Sequence, residues 1–187
     1  MNEILWYTSR ATGIVSIVLL TYVVVAGVLI AGRRKPHAAS PTITMALHRW
    51  IALGMVVFLL VHITTAIAES FVNINWISFI VPFTSGYSPF WVGLGTLAFD
   101  LLAVVVATSY LRHRIPERNW KLVHWLAYAF WPMAIVHGFA LGTSQEWVLR
   151  VITLACGVVG LLAIAWRVNA RHHDRERRDV ILEQEWS

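Results

Sequence analysis

Four of the chain's eight histidines fall within long apolar segments: His48 and His62 in one, His124 and His137 in another. Ionisable side chains inside a membrane-length segment are costly, and they mark function by default. His48 and His62 are 14 residues apart, about 21 Å along a helix axis. His124 and His137 are 13 apart, about 20 Å. If the two segments run parallel, His48 shares a depth with His124, and His62 shares one with His137. Haem iron accepts two axial imidazoles from opposite sides. Two such pairs would hold two haems stacked across a bilayer. Cys156 is the only cysteine, so a C-x-x-C-H haem attachment is excluded and the haems would be non-covalent, of b type. Two axial histidines leave no open iron position, which favours outer-sphere electron transfer. A zinc site would need its ligands within about 2 Å of one ion, and the axial spacing forbids that. The competing reading is a non-redox small membrane protein in which each histidine merely bonds a neighbour.

These histidines need membrane-spanning elements to position them, and the composition supplies those. The 187 residues are 58% hydrophobic and 13% charged, against about 25% charged in an ordinary soluble domain. A mean hydropathy of +0.64 excludes a soluble enzyme, a disordered tail and a disulfide scaffold. No Asp, Glu, Lys or Arg occurs in residues 11–32, 50–68, 70–99, 101–111, 122–145 or 151–166. A spanning helix needs about 20 mostly apolar residues. The pattern predicts an all-α integral membrane bundle of about five transmembrane helices, at about 12–31, 46–68, 90–111, 122–142 and 147–167. Pro82, Gly86 and Pro89 break the apolar stretch 70–89. It reads as an outer loop with an interfacial helix around Ile74–Val81.

Thirteen of the fifteen basic residues flank the loop after span one, flank the loop after span three, or follow span five. Only Arg10 and Arg150 fall on the other side. The positive-inside rule then places the N-terminus outside and the C-terminus in the cytoplasm. The net charge of +5 is therefore a topology signal, and nucleic acid drops out as a partner. The apolar run before Arg33-Arg34-Lys35 is too long for a cleaved leader and ends in a stop-transfer pattern. The chain is expected in the cell inner or plasma membrane, as a multi-pass protein in contact with lipid. Gly93-Leu94-Gly95-Thr96-Leu97-Ala98 fits a dinucleotide-binding string, but it lies inside a span without the required strand. Glycines there serve close packing.

The spacing His48-x13-His62 with His124-x12-His137, the opening Leu47-His48-Arg49-Trp50 of span two and the opening Val123-His124-Trp125-Leu126-Ala127-Tyr128 of span four resemble the ferric reductase-like transmembrane domain family. That superfamily includes ferric reductases, NADPH oxidases and the haem subunit of bacterial methionine sulfoxide reductase systems. The resemblance implies a haem-binding domain over residues 1–170, followed by a short charged cytoplasmic tail over 171–187. It implies electron flow from a cytoplasmic or membrane donor, through the inner and then the outer haem, to an outer acceptor. His48 with His124 and His62 with His137 would be the ligand pairs. Oxidases of the superfamily carry a flavin and nicotinamide domain after the last span, whereas residues 167–187 leave no room for one here. The expectation is an oxidoreductase component fed by a separate donor, a flavoprotein or quinol. A quinol-linked cytochrome b subunit is the alternative within the redox class.

Further residues are candidates for the cofactor's surroundings. Haem propionates seek Arg or Lys at the membrane boundary. Arg49 and Lys121 flank the inner ligands, and Arg10 and Arg150 are the outer basic residues. Snorkelling to the interface is the plainer role for each. Phe130 and Trp131 lie midway between His124 and His137, and the family resemblance places an aromatic between the haems at Phe130. Asp100 is the one carboxylate deep in a span, while Glu69, at the top of span two, is expected to face water. Thirteen residues do not return a helix to the same face, so a distortion near Trp131-Pro132 is predicted to re-aim one histidine.

Overall fold

A computed structural model describes residues 2–31, 41–72, 74–142 and 146–185, with 170–185 as backbone only. The stop-transfer run Arg33–Lys35 lies outside the described residues. Among the described residues six α-helices follow one another: α1 (Asn2–Ala31), α2 (Pro41–Ala68), α3 (Pro89–Tyr110), α4 (Glu117–His124), α5 (Ala127–Leu141) and α6 (Trp147–Glu185). No strand occurs among the described residues. Five helical stretches are long and apolar enough to cross a membrane: Glu3–Ala31, Thr42–Ala68, Pro89–Tyr110, Glu117–Leu141 and Trp147–Asn169. The fourth comprises α4 and α5 together.

Backbone groups in lipid must be satisfied within the helix, and so must side-chain hydroxyls. Thr8, Thr12, Ser16, Thr64, Thr65, Thr108 and Thr153 each donate to the carbonyl four residues earlier, at 2.6–2.9 Å. The outward faces are large and apolar, with Trp50, Val57, Leu122, Leu161 and Leu162 all more than half exposed. Exposure on that scale suits hydrocarbon surroundings.

The fourth span is broken, but not where proline alone suggests. Pro132 lies inside α5, which is otherwise regular. The break is a turn at Trp125 and Leu126, directly after His124. Leu126, Tyr128 and Ala129 donate their N–H groups three residues back, at 2.9–3.0 Å, in the tighter 3-10 manner. Pro132 has no N–H for the Tyr128 carbonyl, yet the tightened turn lies before that carbonyl, between Val123 and Ala129. Each residue of 3-10 geometry turns about 20° further than an α-helical one. That brings His137 back toward the face of His124.

Residues 74–88 connect α2 to α3. Their helical part is shorter than expected, a 3-10 turn at Trp76–Phe79. It packs down the side of α3. Thr96 donates to the Ser78 carbonyl at 2.6 Å in a buried contact, and Phe79 meets Phe99 with ring centroids 4.8 Å apart. Thr96 is seven residues past Pro89, about 10 Å along α3. Irregular backbone at such depth is tolerated where protein covers it. Gly93 has no side chain because Phe83, at φ 67°, occupies that space with its ring and backbone.

Trp131 ties three helices together. It is 2% exposed, its indole N–H donates to Thr21 Oγ1 on α1 at 3.1 Å, and its ring lies flush on Gly160 of α6. Trp131→Ala should lower folding stability by about 3–5 kcal/mol, as for large buried aromatics. Trp131→Phe should lose about 1 kcal/mol with the hydrogen bond. Thermal unfolding of the protein in detergent checks the ranking, and equal effects of the two variants would refute it.

Candidate functional site: two pairs of facing imidazoles

α2 packs closely along α1 and on no other helix to a comparable extent. α3 packs on α5, and α1, α5 and α6 meet one another. α2 and α5 therefore stand apart, and histidines face each other across the gap. His48 and His124 have ring centroids 6.3 Å apart, and His62 and His137 have them 6.4 Å apart. The pairing by depth inferred from the spacing is the pairing found. An imidazole nitrogen bonds a first-row metal at about 2 Å, so two such bonds end to end plus the ring radii span roughly 6 Å between centroids.

Hydrogen bonds define the proton positions in one pair. His62 Nδ1 lies 2.7 Å from the Ser9 carbonyl, and His137 Nδ1 lies 2.8 Å from the Trp91 carbonyl. A carbonyl only accepts, so Nδ1 of each ring donates. Nε2 is then left with its lone pair, the tautomer a metal ligand needs, oriented as metal-bound histidines usually are. The other pair is held differently. Trp120 stacks on His124 at 5.0 Å, and the Arg112 guanidinium lies 4.4 Å over Trp120. His48 Nδ1 approaches the Val23 carbonyl without full hydrogen-bond geometry, and His124 Nδ1 has no partner among the described residues.

Glycines give the rings room. A Cβ on Gly13 would stand 2.9 Å from His62 Nδ1, and one on Gly27 would touch His48 at 3.5 Å. A Cβ on Gly95 would come within 2.5 Å of His137. Gly13 and Gly27 are 14 residues apart on α1, the spacing of the two histidines on antiparallel α2. This match was readable in the chain and went unread, as did Trp120 and Arg112. Gly95 belongs to the glycine string set aside as a packing device, and the structure gives it that use.

A cavity of about 260 Å3 opens beside the His62–His137 pair. Leu20, Met55, Leu59 and Phe130 wall it, and Arg10 and Glu69 lie where α1 begins and α2 ends. Met55 is 1% exposed and seven residues from each α2 histidine, so it sits midway on the same face. Phe130 also lines the cavity, whereas Trp131 is turned to α1 and α6. Arg10 donates to the Leu141 carbonyl at 3.4 Å, pairs with Glu146 at 3.7 Å and packs over Trp6, leaving a buried Nε unpartnered. Arg150 lies over Phe139 with its Nε likewise unpartnered. Lys121 pairs with Glu117 at 2.6 Å, and Arg49 is exposed. Asp100 is half-buried in α3, with no side-chain partner found among the described residues. The expectation that Glu69 faces water is overturned: it is 6% exposed, on the wall of the cavity it shares with Val72, Ile74 and Tyr87.

Fold and site together define a helical membrane bundle built around two imidazole pairs. Over residues 12–135 the chain matches the family described as "Ferric reductase like transmembrane component", and it belongs to that family. The matched stretch includes His48, His62 and His124 and ends two residues before His137. No curated protein and no solved structure matches the chain. Ferric reductase-like transmembrane domains generally bind haem, sit in a lipid bilayer and work with a separate redox donor. The chain is accordingly a multi-pass membrane protein with a redox module for transmembrane electron transfer.

The residues present fit haem. The ring separations suit two imidazole–metal bonds, the tautomers of His62 and His137 are those of ligands, and an orphaned guanidinium nitrogen of Arg10 lies at the cavity. Gly13→Val and Gly95→Val should each displace one of these two imidazoles and lower haem content by about one per chain. Gly54→Ala, which meets nothing within 4 Å, should leave it unchanged. Haem-to-protein ratios of the purified variants provide the check.

Proposed function

We propose that this protein passes electrons across a membrane through two non-covalent b-type haems. His48 and His124 would hold one, and His62 and His137 the other. The observation carrying this reading is the repetition, at two depths, of facing imidazoles at bond-forming separation between helices that otherwise stay apart. Bis-histidine haem supplies a one-electron couple with no open iron position.

The chain's own residues supply the rest. Ser9 and Trp91 carbonyls hold the tautomers, and Gly13, Gly27 and Gly95 admit the rings. Arg10, with its spare Nε, is the residue suited to a propionate beside His62 and His137. Lys121 is already engaged by Glu117, so Arg112, stacked through Trp120 on His124, is the better placed cation at the other pair. Phe130 fills the span between the two depths. The distribution of basic residues supports His48–His124 as the cytoplasmic pair and His62–His137 as the outer one. Electrons would then run from a cytoplasmic or membrane donor, a flavoprotein or quinol, to an acceptor outside. Residues 1–170 would form this module, with 171–187 as a charged cytoplasmic tail.

An absorption spectrum of the purified protein tests the reading. Two bis-histidine b haems per chain are expected. His62→Ala or His137→Ala should remove one centre and largely spare the other. A colourless protein from cells with ample haem would falsify the proposal. Mixing the oxidised protein with a quinol, or with a flavoprotein and NAD(P)H, should reduce the haems with one of the two and thereby identify the donor class.

A further inference from the structure

Glu69 is buried where the chain leaves α2, and no role above uses it. It follows Ala68, the last residue of α2, and its N–H still reaches the Thr65 carbonyl at 3.1 Å. The last helical turn thus holds its backbone in place. Its side chain lines the same cavity as His62, His137, Arg10 and Phe130. The Val72 backbone N–H approaches the carboxylate. The second oxygen, Oε2, is buried and has no hydrogen-bond partner among the described residues. An unpaired buried carboxylate oxygen is costly unless a proton or a donor meets it.

The charged and titratable groups around it are few. Arg10, on α1, is the nearest cation, and its guanidinium is shared with Glu146 and the Leu141 carbonyl. His62 on α2 and His137 on α5 each commit Nδ1 to a carbonyl. Tyr87 is the remaining titratable group on the cavity wall. Burial pushes the Glu69 carboxyl above the usual carboxylate range, against the opposing pull of the Val72 N–H and Arg10. Its protonated form is therefore favoured further up the pH scale than in water, and ionisation comes as pH rises through the raised value. Negative charge arriving in a low-dielectric cavity raises the pKa of a nearby acid further.

We propose that Glu69 is the proton-exchanging group of the cavity at His62 and His137, taking up one proton when an electron arrives there and releasing it when the electron leaves. The step balances as one electron from the donor and one proton from water, which converts the carboxylate to the carboxylic acid. The electron departs to the acceptor, and the proton returns to water or accompanies it. The proposal rests on the reading that the histidine pairs hold haem.

The test is a spectroscopic redox titration of the full-length haem-loaded protein between about pH 5 and pH 9, a range reaching well above the ordinary carboxylate value. The midpoint of the centre that His62→Ala removes should fall with pH by about 59 mV per unit over part of this range, one proton per electron. Glu69→Gln should flatten that slope, and Glu69→Asp should restore it. Redox-difference infrared spectra should show a carboxylic acid band that shifts in Glu69→Asp, which distinguishes it from haem propionates and from the other glutamates. A pH-independent midpoint in the wild type, or an unchanged slope in Glu69→Gln, overturns the proposal. If Glu69→Gln fails to load haem, the infrared comparison of wild type with Glu69→Asp decides alone, and the absence of a redox-linked band that shifts overturns it. A wild-type protein without haem would instead overturn the reading of function, and its spectrum reveals that beforehand.

Discussion

The structure depends on keeping two helices apart while their histidines face each other. α2 and α5 carry the imidazoles, yet their backbones do not pack closely on each other, and Met55 and Phe130 belong to the buried core between them. α2 is left with α1 as its only close neighbour. Glycines on α1 make that contact close enough for the rings to be held from behind, and α3 does the same for His137 through Gly95. The gap is thus a consequence of packing elsewhere. α1, α5 and α6 join around Trp131, and α3 braces α5. In a protein without that scaffold, lipid-facing helices would close on one another through van der Waals contact, and the gap would vanish.

Polar chemistry inside such a bundle has to be satisfied locally, and most of it is. Hydroxyls return their protons to the carbonyl one turn back, and His62 and His137 give theirs to carbonyls of neighbouring helices. Among the described residues half of the exceptions lie at the histidine pairs, the others being Ser109 Oγ, Trp120 Nε1, Glu146 Oε2 and Arg150 Nε. Nδ1 of His48 and His124, Nε of Arg10 and Oε2 of Glu69 are buried without hydrogen-bond partners. Unsatisfied buried groups are few in stable proteins. The four at the histidine pairs coincide with the places where a cofactor with iron and carboxylates would sit.

The two imidazole pairs are not equivalent. One is fixed through carbonyl hydrogen bonds and opens on a cavity with Arg10 and Glu69. The other relies on stacking, with Trp120 laid against His124 and the Arg112 guanidinium over Trp120. A ligand ring tethered through Nδ1 is more basic and more strongly oriented than one held by stacking. The protein thus surrounds two chemically similar pairs with different second neighbours, and redox centres held by them would differ in potential.

Much of this was legible in the chain. Charge-free runs of membrane length defined the five spans, because hydrocarbon tolerates few charges whatever the packing. The histidine spacings set the two depths, because rise per residue is a property of the helix alone. The Gly13 and Gly27 spacing echoed them and could have been read the same way. Other features needed the folded molecule. The break lies at Trp125 and Leu126, directly after His124 and six residues before Pro132, so its position was not a local property of Trp131-Pro132. Glu69 looked like a surface residue from its place at a helix end, and only the folded chain sets it on a cavity wall with Val72, Ile74 and Tyr87. Which residues lie at which depth is written in the chain, since that follows from helix geometry and hydropathy. Tertiary structure decided which of them face one another and which are cut off from solvent, since that depends on how helices distant in sequence meet.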